Sequence, residues 1–142
     1  MTDDVVLNKA ATIERCVRRA REEYEKDPAS FEGDVTRQDA AILNVQRACE
    51  AAIDLGYHLV HRERLGIPQS ARDVFRLLAE AGWIDPEVAE AMKRMVGFRN
   101  IAVHDYQALQ LPIVVAILRQ HLDEFLQFTA AVLTHHRVEN GS

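Results

Sequence analysis

The sequence predicts an all-α protein, an antiparallel helical bundle of four long helices plus one short helix. Apolar residues recur at steps of three and four in five successive segments, which is the spacing of one helix face. Hydrophobic residues make up 48% of the 142 residues, with only 6 Gly and 4 Pro to interrupt helices. No segment alternates apolar and polar residues as a half-buried strand does. At this length we expect residues 1–142 to form a single domain.

The first two predicted helices are long. The first runs from about Asp3 to Lys26 and ends before Pro28, because the residue before a proline avoids the α conformation. The second runs from about Thr36 to Arg64 and is apolar around much of its circumference, which predicts a central position. A line of polar residues also follows this helix at steps of four: Gln46, Glu50, Asp54 and His58.

The remaining helices have recognisable start and stop signals. A short third helix begins after Ser70, a favoured N-cap, and ends before Gly82. Pro86 opens the fourth helix, since proline is favoured at the first helical position. The fifth helix follows a turn at residues 107–112, and we expect the polar tail 137–142 to fray.

The fourth helix carries an arginine in its apolar face. That face is formed by Val88, Met92, Met95, Arg99, Ala102 and Tyr106. Asn100 and His104 are four residues apart and share a neighbouring face. A buried guanidinium stays charged, so Arg99 needs either an anionic ligand or an internal carboxylate, for which Glu50 and Asp54 are the candidates. The structural alternatives are that Glu50 and Asp54 lie on a solvated edge and that His104 sits at a helix C-terminus, where an imidazolium is favoured.

Composition restricts the function classes. The net charge of −5 argues against broad adhesion to nucleic acid, although it does not exclude a local basic cleft. Four arginines between residues 57 and 76 are the weak signal for one: Arg62, Arg64, Arg72 and Arg76. Cys16 and Cys49 fall among apolar neighbours, so we expect reduced core thiols. With no apolar run of membrane-spanning length and no signal sequence, we expect a cytoplasmic protein.

Two pairs of histidines are candidate metal ligands. His58 and His61 lie one turn apart, and His135 and His136 are adjacent. Neither pair has a third ligand at a suitable spacing, so we expect no metal site.

The segment Arg99-Asn100-Ile101-Ala102-Val103-His104 resembles the Arg-x4-His signature of HEPN domains. His104-Asp105-Tyr106 extends it to Arg-x4-His-x-Tyr, which is similar to the HepT branch, the toxin half of HepT/MntA-type toxin–antitoxin pairs. The ranges 46–58, 68–82 and 95–100 also resemble this family and occur in the expected order.

This resemblance implies a metal-independent endoribonuclease toxin of a type VII-like system, active as a homodimer and without a cofactor. In such an enzyme Arg99 holds the RNA phosphate and His104 moves protons near neutral pH. Asn100 orients either the histidine or the phosphate. Glu50 or Asp54 would support Arg99. The 2′-hydroxyl of the RNA is the nucleophile, so the products carry a 2′,3′-cyclic phosphate and a 5′-hydroxyl.

The resemblance also implies that Tyr106 is the site at which an MntA-like nucleotidyltransferase antitoxin adds AMP. A bulky anionic adduct beside Arg99 and His104 would neutralise the arginine and fill the phosphate site. From the residues alone, Tyr106 is an aromatic side chain that closes the end of the core. The alternative function is a non-catalytic HEPN module that dimerises and binds the nucleotidyltransferase, with Arg99 as a structural charge.

Overall fold

The structure is a computed structural model that describes residues 3–139. Its helices are α1 (Asp4–Glu25), α2 (Pro28–Phe31), α3 (Val35–Arg62), α4 (Ala71–Glu80), α5 (Pro86–His104), α6 (Leu111–Ala116) and α7 (Leu122–Glu139). A 3₁₀ turn, Tyr106–Ala108, follows α5, and a π-helical segment, Ile117–His121, joins α6 to α7. Residues 3–139 contain no strand, so the predicted all-α bundle is confirmed.

α3 is the central helix, as its broad apolar surface predicts. It packs against α1, α4 and α5, and α1 also packs along α7. α1 and α3 are antiparallel, because Lys9 near the start of α1 pairs with Asp54 near the end of α3 at 3.2 Å. Arg21 pairs with Asp123 at 2.8 Å, so α1 is antiparallel to α7 as well. The core contains four fully buried phenylalanines: Phe31, Phe75, Phe125 and Phe128.

Capping residues mark several of the helix boundaries. The Asp3 carboxylate accepts a hydrogen bond from the Val5 N–H at 3.0 Å and so caps α1. The Ser70 hydroxyl caps α4 in the same way. Gly82 follows α4 with φ +82°, a left-handed conformation that favours glycine. Cys16 and Cys49 are buried free thiols, which confirms their predicted place in the core.

Two segments differ from the prediction. The expected loop after α1 contains the one-turn helix α2, whose buried Phe31 meets the ring of Tyr24 edge-on at 5.2 Å. α7 continues through Glu139, so residues 137–139 are helical where a frayed tail was expected. Residues 140–142 of that tail lie outside the described residues. Among helices of the described chain, none combines the length and the apolar character needed to cross a membrane.

Candidate active site

The motif lies where α5 ends and the 3₁₀ turn begins. Arg99 and Asn100 are in the second half of α5, and His104 is its last residue. The backbone leaves the helical conformation at Asp105, with φ −152° and ψ 57°. Tyr106 therefore lies on the turn. The prediction that it continues the apolar face of the fourth helix is wrong, because the helix stops two residues before it.

Arg99 has no anionic partner within residues 3–139. Its side chain is half-buried, and its Nε is buried without a hydrogen bond. The charge of Arg99 acts on the neighbouring Cys49, whose Sγ donates to the Met95 carbonyl at 3.4 Å. Burial raises the pKa of the Cys49 thiol far above its usual range, against the opposing effect of Arg99. A guanidinium beside a neutral thiol remains available to an anion from outside this chain.

The predicted counter-charges are turned to solvent. Asp54 pairs with Lys9, and Glu50 accepts a hydrogen bond from Gln46 Nε2 at 3.0 Å. Both carboxylates are exposed, as expected of a solvated edge. The predicted ion pair with Arg99 is therefore not formed in residues 3–139. The physical reason is rotational: Cys49 is buried on the side of α3 that meets α5, and Glu50 follows about 100° further round the helix.

Asn100 and His104 are also without protein partners in the part of the chain that the structure describes. His104 is exposed at the C-terminal end of α5, where the helix dipole favours a positive charge. Asn100 is half-buried one turn earlier, and its amide makes no hydrogen bond within residues 3–139. Three polar groups of one helix end are thus free to meet a ligand.

Tyr106 is held by a residue from another helix. Its hydroxyl donates a hydrogen bond to the Asp39 carboxylate on α3. The tyrosine is 44% exposed, so it does not close the core as its aromatic character suggested. Burial of the phenol and the hydrogen bond to the Asp39 carboxylate raise the pKa of Tyr106 to about 12.

Arg72 lies against α5 just before the motif. A Cβ at Gly97 would be 3.0 Å from Arg72 Nη2, so the missing side chain lets this guanidinium approach the helix. Gly97, Asn100 and His104 follow at steps of three and four and therefore share one face of α5. Within residues 3–139 Arg72 forms no ion pair, whereas Arg76 on the same helix is held by two carboxylates.

Asp39 and Arg72 were not predicted as site residues. Asp39 precedes Tyr106 by 67 residues, and a contact between two helices leaves no spacing in the sequence. In the sequence Arg72 is only one of four arginines between residues 57 and 76. The local signal that could have distinguished it is Gly97, since a glycine inside a helix often marks a close approach.

An apolar groove of about 590 Å³ adjoins the motif between α5 and the segment 108–124. Its apolar lining includes Met95, Phe98, Ile101, Leu109, Ile113 and Ile117. Ile101 is 42% exposed and Ile113 is 51% exposed. The site is therefore a row of polar groups beside an open apolar surface.

One histidine of each sequence pair contacts a residue outside the pair. His58 Nε2 lies 2.6 Å from the Asp3 carboxylate, and the ring of His135 stacks on Trp83 with centroids 3.8 Å apart. Residues 3–139 contain no group of three His, Cys, Asp or Glu side chains arranged to hold a metal ion.

Comparison with known proteins gives consistent relatives for this fold and motif. Residues 13–132 match the family described as Ribonuclease HepT-like. The chain is 50% identical over 126 residues to the mRNA nuclease HepT of Shewanella oneidensis. The matched region covers 89% of this chain and 94% of that protein.

Two solved structures are similar along nearly the whole chain. A crystal structure of a toxin–antitoxin with AMP-PNP superposes with a TM-score of 0.88 at 47% identity, covering 93% of this chain and 99% of the other. The tri-AMPylated Shewanella oneidensis HEPN toxin in complex with MNT antitoxin superposes with a TM-score of 0.88 at 47% identity. This match covers 94% of this chain and 99% of the other. The chain therefore belongs to the HepT-like ribonuclease family.

Proposed function

We propose that this chain is a metal-independent endoribonuclease, the toxin of a HEPN/MNT toxin–antitoxin system. The observation that carries the proposal is the buried and unpaired Nε of Arg99, on the same helix end as Asn100 and His104. A charged group left without a partner is costly unless a ligand completes it, and an RNA phosphate is a ligand that a guanidinium binds well. Membership of a ribonuclease family supports RNA as the substrate.

Arg99 binds the scissile phosphate in this mechanism. The 2′-hydroxyl attacks the adjacent phosphorus, and negative charge builds on the non-bridging oxygens. A planar guanidinium can donate two parallel hydrogen bonds to those oxygens and strengthens them as the charge develops. Asn100, with its free amide, orients the phosphate or the imidazole.

His104 moves the protons. One group must remove the proton of the 2′-hydroxyl, and another must protonate the 5′-oxygen that leaves. His104 performs one of these transfers, and the same histidine of a second copy performs the other. The products are a 2′,3′-cyclic phosphate and a 5′-hydroxyl.

Cleavage of a labelled single-stranded RNA in the presence of EDTA tests this mechanism. His104→Ala should lose about 100-fold or more of the rate. It should still fold, because His104 is exposed. His61→Ala, an exposed histidine on α3, is the matched control and should cleave normally. Cleavage by His104→Ala at the wild-type rate, or none by unmodified wild type on several RNAs, contradicts the proposal and favours the non-catalytic module.

A homodimer is part of the proposal, with the groove beside the motif as its interface. Ile101 and Ile113 expose apolar surface in this groove, and an exposed apolar patch is stabilised by burial against a partner. A second copy seated there brings two copies of the motif together. Ile113→Glu should shift the sedimentation of the protein from dimer to monomer and reduce cleavage, while the exposed Val138→Glu should do neither.

We also propose that a nucleotidyltransferase silences the enzyme by adding AMP to Tyr106. The hydroxyl is on an exposed turn two residues after His104, and a similar toxin is tri-AMPylated in its complex with MNT antitoxin. An adenylate at Tyr106 introduces an anion that competes with RNA phosphate for Arg99. Tyr106→Phe should remain an active ribonuclease after incubation with the nucleotidyltransferase and ATP, whereas wild type should gain the mass of AMP and lose activity.

A further inference from the structure

The side chain that holds the Tyr106 hydroxyl is Asp39. Both residues are exposed, so a modifying enzyme can reach them together. The Asp39 carboxylate forms no ion pair within residues 3–139, and its hydrogen bond there is the one from Tyr106. A free carboxylate on the reacting oxygen is the arrangement in which a general base is found.

A phenol needs such a base to act as a nucleophile. Burial and the Asp39 carboxylate raise the pKa of Tyr106 to about 12. Roughly one phenol in 10⁵ is ionised at pH 7 with that pKa. Adenylyl transfer therefore begins from the protonated hydroxyl, and the proton must leave while the new bond to phosphorus forms.

We propose that Asp39 is the general base for the modification of Tyr106, so that the toxin supplies a catalytic group for its own silencing. This inference rests on the proposed adenylylation of Tyr106. The Tyr106 oxygen forms a bond to the α-phosphorus of ATP, and the bond from that phosphorus to the bridging oxygen breaks, releasing pyrophosphate. The phenolic proton passes to the Asp39 carboxylate, which is exposed and returns it to water.

The geometry also separates Asp39 from the other carboxylates of α3. Asp54 is held by Lys9, and Glu50 accepts a hydrogen bond from Gln46. Asp39 alone among these three contacts the Tyr106 hydroxyl. After the transfer, the tyrosine has no proton to donate and carries a phosphodiester, so the hydrogen bond to Asp39 is replaced by repulsion between two anions.

The test measures single-turnover AMP incorporation by intact mass. The full-length chain is incubated with its cognate MNT-type nucleotidyltransferase, ATP and Mg²⁺, and the modified residue is located by peptide mass. Asp39→Asn keeps the shape and an acceptor oxygen but cannot take up the proton, whereas Asp39→Ala removes both. Both variants should lose about 100-fold or more of the transfer rate, while Asp54→Asn keeps the wild-type rate. Thermal unfolding and co-elution with the nucleotidyltransferase check that each variant folds and binds.

Two outcomes distinguish the role of Asp39 from the choice of Tyr106 as the modified residue. Asp39→Asn modified at the wild-type rate overturns the role of Asp39 as a base, even when Asp39→Ala is slow, because the carboxylate would then only position the ring. AMP incorporation that is unchanged in Tyr106→Phe overturns the proposed site of modification instead.

Discussion

Arg99 is half-buried beside a neutral thiol, and residues 3–139 provide no carboxylate to balance its charge. Such an arrangement costs free energy in the unliganded chain, so the folded protein does not depend on Arg99 for its stability. A phosphate that enters the site gives the guanidinium the partner that it lacks. We therefore expect Arg99 to stabilise the bound ligand although it does not stabilise the folded chain.

This reasoning predicts the behaviour of two Arg99 variants. Arg99→Ala breaks no internal ion pair, so the free energy of unfolding should change by less than about 1 kcal/mol. Arg99→Lys keeps the charge but loses the planar fork, and we expect its cleavage rate to fall by about 10²-fold. Urea unfolding and RNA cleavage are the two measurements. A loss of several kcal/mol in Arg99→Ala would show that Arg99 is half of a structural pair after all.

The sequence predicts which candidate residues lie near one another when they belong to one helix. Arg99, Asn100 and His104 lie on α5, and their spacing alone determines that they share one end of it. Asp39 and Tyr106 meet through the packing of α3 and a 3₁₀ turn, which no local pattern encodes. The ion pair predicted between Arg99 and a carboxylate of α3 also depends on how two helices pack. A shift of one residue along α3, from Cys49 to Glu50, turns a side chain from the core to solvent.

At the scale of helices, the periodicity of apolar residues and the caps predict most boundaries. Ser70, Gly82 and Pro86 mark the ends of helices where the sequence indicates them. The end of α5 has no such mark, since His104 is followed by Asp105 rather than by Gly or Pro. The apolar pattern in the sequence continues past the end of α5, but the backbone beyond that point is no longer helical. Tyr106 therefore does not lie on the same face as the apolar residues before it.

Two glycines inside helices have opposite roles. A Cβ at Gly56 would overlap Val74 Cγ1, so this glycine lets α3 and α4 approach closely. Gly56→Ala should lower the free energy of unfolding by about 1–3 kcal/mol. At Gly97 the group that a Cβ would meet is the mobile end of Arg72, which can move aside. Gly97→Ala should therefore be neutral or stabilise by up to about 1 kcal/mol, through helix propensity. Urea unfolding measures both variants. A Gly97→Ala protein less stable than Gly56→Ala would contradict this prediction.

α4 carries one unpaired arginine, Arg72, close to the motif and one paired arginine, Arg76, one turn further on. If RNA follows the face of α5 that carries Asn100 and His104, Arg72 is placed to contact a neighbouring phosphate. Arg72→Ala should weaken RNA binding and reduce the slope of log affinity against log salt by about one. Arg76→Ala is the matched control, because Asp73 and Glu80 already neutralise it. Equal effects of the two substitutions would show that only the overall charge matters.

For the whole molecule, a cluster centred on the Asp3 carboxylate joins three helix ends. Asp3 caps α1 and contacts His58 Nε2 at 2.6 Å and Arg62 Nη1 at 2.7 Å on the last turns of α3. Arg62 Nη2 lies 3.6 Å from Glu139, the last residue of α7. This cluster closes the bundle at the end where α1 begins, and its carboxylate is only 17% exposed. Its contribution to stability should therefore depend on pH.

Burial acts to raise the pKa of Asp3, but hydrogen bonds from His58 and Arg62 outweigh it and hold that pKa well below its usual range. As the pH falls, the unfolded chain takes up this proton first, so the stabilisation is complete above about pH 4 and is lost below it. Asp3→Asn keeps the helix cap but removes the charge. It should lower the free energy of unfolding by about 1–3 kcal/mol at pH 7, and the difference from wild type should shrink at about pH 3. Asp54→Asn, which breaks an exposed pair with Lys9, should cost less than about 0.5 kcal/mol at either pH. A deficit in Asp3→Asn that is equal at both pH values would mean that the carboxylate acts through its shape and not through its charge.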